Sequence, residues 1–165
     1  RLLGITNKII NPEKLFNTIV GKDKIMEENG FDDKTNTVLR SAKGAVGVFA
    51  DKGLKKVDDI VLIAMSDEDI FLLPYAQKLI YNNESRVIVI DYNDKIKQNT
   101  SFKESIRAIE QTAPNHIALY DRNKMNQEFL KTKDLMLMST NAWQAFLEIE
   151  PDWFSNVPSV LIFRK

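Results

Sequence analysis

Apolar residues along the chain fall into short continuous runs separated by stretches in which they recur every three or four positions. The first clear run, Ala45 to Ala50, and the next, Ile60 to Met65, are divided by a charged segment, Asp51 to Asp59, with no helical period between them. From Ile60 onward the two patterns alternate. IVLIAM (60–65) is apolar throughout, as expected of a strand covered on both faces of a parallel sheet. Leu72, Leu73, Ala76, Leu79 and Ile80 then recur at helical spacing within Glu68 to Tyr81. Pro74 sits deep enough that this helix either begins later than Asp67 suggests or is kinked. RVIVID (86–91) predicts the second strand, and Ser101 with Glu104 has the spacing of a capping box opening a helix whose Phe102, Ile106 and Ile109 share a face. HIALYD (116–121) is a weaker third strand, followed by a short helix bearing Met125, Phe129 and Leu130. DLMLMS (134–139) is the fourth. Thr140 or Asn141 can cap a helix carrying Trp143, Phe146 and Leu147, which Pro151 ends, and PSVLIF (158–163) is the fifth strand.

Five strands alternating with four helices predict a doubly wound α/β unit with a parallel five-stranded sheet. That unit is complete without AVGVFA (45–50), which therefore reads as the last strand of a preceding lobe. The expected organisation is residues 1–50 as the C-terminal part of a first lobe, 51–59 as a linker, and 60–165 as a complete second lobe. Before AVGVFA, Thr35 to Ala42 is a short helical candidate, Asn7 to Asp33 reads as loop, and LLGI (2–5) as a truncated penultimate strand.

Charge supports a break near the same place. Lys plus Arg equals Asp plus Glu at 23 each, yet residues 1–56 carry 11 basic and 7 acidic groups and 57–165 carry 12 and 16. The overall balance leaves no global field to gather nucleic acid or an anionic membrane surface. With 44% hydrophobic residues in 165 the chain can build a full core. The longest stretch without charge, Leu135 to Leu147, is 13 residues, short of the ~20 apolar residues of a membrane span, so no direct bilayer insertion is expected. The absence of cysteine removes disulfide scaffolds, thiolate metal sites and cysteine nucleophiles.

The stretch Gly44-Ala45-Val46-Gly47-Val48-Phe49-Ala50-Asp51-Lys52-Gly53-Leu54 precedes a strand and an acidic turn, Ser66-Asp67-Glu68-Asp69, that leads into a helix. This order resembles the cytoplasmic C-terminal region of monovalent cation:proton antiporters of the antiporter-2 family. DLMLMS, Trp143, Trp153 and PSVLIF are similar to the end of such a region. In that family a membrane exchanger is followed by two tandem lobes similar to the universal stress protein fold, and a VGV-x2-D-[RK]-G segment closes the first lobe. The resemblance covers about residues 40–165 and is sharpest at 44–54. It implies strand order 3-2-1-4-5 in the second lobe, with Val46 to Ala50 lying beside Ser159 to Phe163. It also implies a non-catalytic regulatory or assembly role in a sodium or potassium:proton antiporter, at the cytoplasmic face of the cell membrane. The implied partners are the membrane transport domain of the same polypeptide and a second copy in a homodimer. The family's transport residues lie in its membrane half, so none maps onto this chain. An alternative from another class is a free-standing tandem universal stress-like protein that binds a nucleotide or other small ligand.

Strand order 3-2-1-4-5 places the expected ligand crevice where the order reverses, between Met65-Ser66-Asp67 and Ser139-Thr140-Asn141. Nucleotide-binding universal stress proteins carry a G-x2-G-x9-G-[ST] loop after the fourth strand, because glycine lets backbone N–H groups close around phosphates. The last glycine here is Gly53, and the 112 residues from Leu54 onward contain none. A nucleotide cofactor is not expected in this lobe. Ser66, Asp67, Ser139, Thr140 and Asn141 remain weak candidates for a different small ligand, although Ser, Asp, Thr and Asn are also the residues that cap helices. No metal site is expected, because the single His116 has no second His and no Cys beside it, and an acidic Asp67-Glu68-Asp69 turn suits a helix N-terminus. Trp143 and Trp153 read as core packing. One His, no Cys and no nucleophile elbow leave no catalytic constellation.

Overall fold

The computed structural model describes residues 7–10 and 33–165. Its strands are β1 (Asn7–Ile10), β2 (Val46–Ala50), β3 (Asp59–Ala64), β4 (Arg86–Asp91), β5 (Ile117–Asp121), β6 (Leu135–Ser139) and β7 (Ser159–Arg164). Its helices are α1 (Asp33–Ser41), α2 (Leu73–Asn83), α3 (Thr100–Thr112), α4 (Gln127–Lys131) and α5 (Thr140–Ile149). Short 3-10 turns at Asp67–Leu72, Arg122–Lys124 and Pro151–Asn156 complete the order.

All seven strands belong to one sheet, in the order β1-β2-β7-β6-β3-β4-β5. The strands from β3 to β7 run parallel to their neighbours, and counted from β3 their order is 3-2-1-4-5. The chain thus contains the doubly wound parallel α/β unit expected from its pattern, in the strand order that the resemblance implies. The direction reverses at β2, which pairs antiparallel with β7, Val46 opposite Arg164 and Ala50 opposite Val160. β1 adds in parallel beyond it, Asn7 opposite Gly47. The expected neighbourhood of Val46 to Ala50 and Ser159 to Phe163 is therefore observed, and the sheet runs without interruption across the segment read as a linker.

Alternation along each strand sends side chains to two cores. On one face Leu39 of α1, Leu130 of α4 and Trp143, Phe146 and Leu147 of α5 pack on Val48, Val61, Ile63, Met136 and Ile162. On the other, Leu73, Ala76 and Leu79 of α2 and Phe102, Ile106 and Ile109 of α3 pack on Ile60, Leu62, Val89, Leu137 and Phe163. Strands buried on both sides need no polar positions, which explains the unbroken apolar runs. Among the described residues no helix is long and apolar enough to cross a membrane.

Several boundaries differ from the sequence reading. Asn7 to Asp33 was expected as loop, but Asn7–Ile10 is a strand; four residues carry little local signal, and this strand exists through pairing with β2, a non-local interaction. LLGI and residues 11–32 lie outside the described residues. The helix expected at Glu68 divides into a 3-10 turn and α2, which begins at Leu73 with Pro74 in its first turn, where a missing N–H costs nothing. α3 is capped by Asn99, whose Oδ1 accepts from Phe102 N at 2.8 Å, rather than by Ser101, which lies inside the first turn. Likewise Ser139, not Thr140 or Asn141, caps α5.

Candidate functional site

The strand order reverses between β3 and β6, which are parallel neighbours with Ile60 opposite Leu135 and Leu62 opposite Leu137. Their carboxyl ends therefore open on one side of the sheet, and residues 65–67 and 139–141 follow them there. The two segments are built differently. After β3 the chain turns sharply around Asp69, a carboxylate only 3% exposed. Asp69 Oδ2 accepts from Met65 N at 2.8 Å and from Ser66 N at 3.2 Å, so the buried charge is held by two main-chain donors. Ser66 and Asp67 are left exposed at the turn. After β6 the strand passes into α5 with no residue between: Ser139 is both the last of β6 and the cap of α5, and its buried Oγ accepts from Ala142 N at 3.0 Å. Thr140 is half-buried and Asn141 exposed in the first turn. The structure thus brings the five candidates to the same end of the sheet, and gives Ser139 a capping role and Ser66 the position before a 3-10 turn.

A second feature of this end had no local signature in the sequence. β4 finishes in Asp91, 1% exposed, whose Oδ1 and Oδ2 accept from Ile96 N and Lys97 N, each at 3.0 Å. This pins the following loop beside the end of β5. Asp94, Lys97, Asp121, Arg122, Glu150 and Trp153 line an open groove of about 570 Å³ between these loops and the end of α5. Glu150 organises its wall: its Oε1 accepts from Tyr92 Oη at 2.9 Å and from Arg122 at 3.3 Å, and the Arg122 guanidinium lies 4.4 Å from the Tyr92 ring centre. Burial, reinforced by the hydrogen bond and negative charge of Glu150, pushes the Tyr92 phenol up to about 12, against the opposing pull of Arg122. Trp153 also meets Phe146 edge-on, at 6.1 Å between ring centres. It packs as expected and, in addition, forms part of the groove.

The opposite end of the sheet holds the seam between β2 and β7. Asp51 Oδ1 accepts from Gly53 N at 2.9 Å and Leu54 N at 2.8 Å, forming the turn that leaves β2. Gly53 adopts φ +88°, in the left-handed region that glycine enters freely. Lys52 N donates to Ser159 Oγ at 2.8 Å and Lys52 Nζ to Val157 O at 2.7 Å, so both ends of this residue grip the start of β7. At the far end of β7, Arg164 donates to the carbonyls of Leu39, Ala42 and Gly44, fastening α1 and the entry to β2.

His116 places Nδ1 3.0 Å from the Ser85 carbonyl, a structural contact at the start of β5. Among the described residues no group of three or more His, Cys, Asp or Glu is arranged to hold a metal ion.

No protein-family model matches the chain. No curated protein matches it. Among solved structures, a universal stress protein from Archaeoglobus fulgidus DSM 4304 is similar, at 13% sequence identity and a TM-score of 0.48 over 77% of this chain and 51% of that one. The chain spans about half the length of that structure.

Proposed function

We propose that the chain is a non-catalytic regulatory and assembly module of a membrane sodium or potassium:proton antiporter, acting at the cytoplasmic face of the membrane with the transport domain of the same polypeptide as its partner. The observation that carries this reading is the seam. The residues that resemble the family's lobe-closing segment, Val46 to Gly53, each have a structural use there. VGVFA is the strand that reverses against β7. Asp51 closes the turn, Lys52 grips Val157 and Ser159, and Gly53 takes the left-handed backbone. A segment preceding the five-stranded unit so covers the outer edge of its last strand, the arrangement that two tandem lobes would require.

The reading is tested on the full-length polypeptide, reconstituted into vesicles and assayed for sodium- or potassium-driven proton exchange. Exchange is expected to persist when residues 60–165 are removed, with altered dependence on cation concentration or pH. Recovery of the full-length polypeptide entirely in the soluble fraction, with no exchange in vesicles, overturns it. Saturable nucleotide binding by that soluble polypeptide would instead establish the free-standing alternative.

A further inference from the structure

At the amino ends of β3, β6 and β7, on the side of the sheet opposite the switch-point cleft, Lys52, Lys55, Lys56, Lys133, Asp134 and Ser159 line a groove of about 290 Å³. The chain as a whole is neutral, with 23 basic and 23 acidic side chains, yet this lining holds four ammonium groups and one carboxylate. One oxygen of that carboxylate is engaged by the backbone: Asp134 Oδ2 accepts from Asp58 N at 3.0 Å and Asp59 N at 2.9 Å. Two of the lysines are fixed by rigid elements. Lys52 is held by the β2–β7 seam, where its Nζ donates to Val157 O at 2.7 Å. Lys133, just before β6, lies with Nζ 4.5 Å from the Phe129 ring centre. Partial burial lowers the pKa of both. Like Lys52, Lys55 and Lys56 are exposed on the connection from β2 to β3, and Lys56 pairs with the solvent-exposed Asp58 at 3.4 Å.

We propose that this groove binds a phosphate-class oxyanion, with Lys52 and Lys133 on one wall and Lys55 and Lys56 contributed by the connection from β2 to β3. Lysine suits this task as a compact point charge with rotatable donors. The volume admits a phosphate or pyrophosphate group with a small substituent. The proposal is independent of the antiporter reading, since it requires only the groove. The same chemistry is offered by a free phosphate compound and by a phospholipid headgroup.

Titration of the chain with pyrophosphate, at ionic strength held constant with chloride, is followed by thermal denaturation and by amide chemical shifts. In parallel, co-sedimentation is measured with phosphatidylcholine vesicles containing or lacking phosphatidic acid. A saturable rise in melting temperature with pyrophosphate is expected. Affinity should fall about tenfold or more in the Lys55→Gln/Lys56→Gln variant and stay unchanged in Lys78→Gln, which lies outside the groove. Lys133→Met, which keeps an unbranched chain against Phe129, should weaken binding as well. Response to pyrophosphate supports the site with a soluble ligand, and response to phosphatidic acid alone supports it with a lipid headgroup. Absence of both, or binding that the groove variants leave intact, overturns it.

Discussion

Replacing Asp51 by Ala removes the acceptor that shapes the exit from β2 while leaving every strand residue in place. Its Oδ1 receives Gly53 N at 2.9 Å and Leu54 N at 2.8 Å, with a longer contact from Ser159 Oγ at 3.4 Å. Hydrogen bonds to a charged group contribute about 1.5–3 kcal/mol each when desolvated, and about 0.5–1.5 when neutral or wet. Gly53 is exposed and Leu54 half-exposed, so water can reach both amides and the lower range applies, giving about 2 kcal/mol in total. For a chain of this size that corresponds to a fall of roughly 4–8 °C in melting temperature. Asp51→Asn keeps an amide oxygen where Oδ1 stands and should lose less than about 1 kcal/mol. Urea denaturation followed by circular dichroism gives both values, and an unchanged slope shows that the cost lies in the folded state. Hydrogen exchange locates it: amides of β2 and the facing residues of β7 should lose protection first, ahead of those in β3 and β4. Equal stability of wild type, Asp51→Ala and Asp51→Asn, to within about 0.5 kcal/mol, would refute the role given to the carboxylate. It would also remove the seam's claim to be a specified joint.

Two further outcomes follow from particular residues. Gly53→Ala places a Cβ in open space at φ +88°, so its effect is purely conformational, a loss of about 1 kcal/mol in urea denaturation; no loss would mean that the turn relaxes to negative φ. Tyr92 is held protonated up to about 12, above its ordinary 10, so the unfolded chain releases this proton first. The contribution is fully present below pH 10 and is lost as pH rises from 10 towards about 12. Tyr92→Phe should flatten that decline. In a near-ultraviolet titration, Tyr81, whose phenol is lowered by its hydrogen bonds to Thr112 and Gln77, should ionise before Tyr92, and the reverse order would contradict the assignment.

The sequence made the five-stranded unit legible because β3, β4, β6 and β7 are largely buried on both faces and read as apolar runs, whereas the edge strand β5 is partly exposed and correspondingly weaker in pattern. It failed where structure depends on pairing at a distance. β1 has four residues, and its partner lies in β2, so no window around Asn7 contains the interaction that orders it. The cap of α3 falls at Asn99 rather than at the expected Ser101, because it is the Asn99 Oδ1 that meets Phe102 N where Phe102 enters the core. The groove beside Glu150 and the lysine groove each gather residues from three or more separate segments, which makes them properties of the strand order rather than of any motif. The joint at Asp51-Lys52-Gly53 was visible as a pattern, but its meaning required Val157 and Ser159 on the other side of the seam.

The lack of glycine after β6 and the direct entry of that strand into α5 are one physical fact seen twice. A phosphate cradle needs a loop whose amides converge on a point outside the helix, and glycine supplies the backbone freedom for that approach. Here Ser139 turns the strand into the helix in a single step and spends its own Oγ on Ala142 N at 3.0 Å. An anion at this helix start would compete with Ser139 for that amide, and displacing such a cap costs about 1 kcal/mol before any contact is gained. The buried Asp69 beside it deepens the obstacle, because its charge lies near the same opening and is held there by Met65 N and Ser66 N. Repulsion from a carboxylate in a partly dehydrated turn acts against an incoming phosphate. At the end of the sheet where the strand order reverses, the Ala142 amide is thus already taken by Ser139 and a carboxylate stands nearby, whereas the groove at the amino end counts four lysines against Asp134 in its lining.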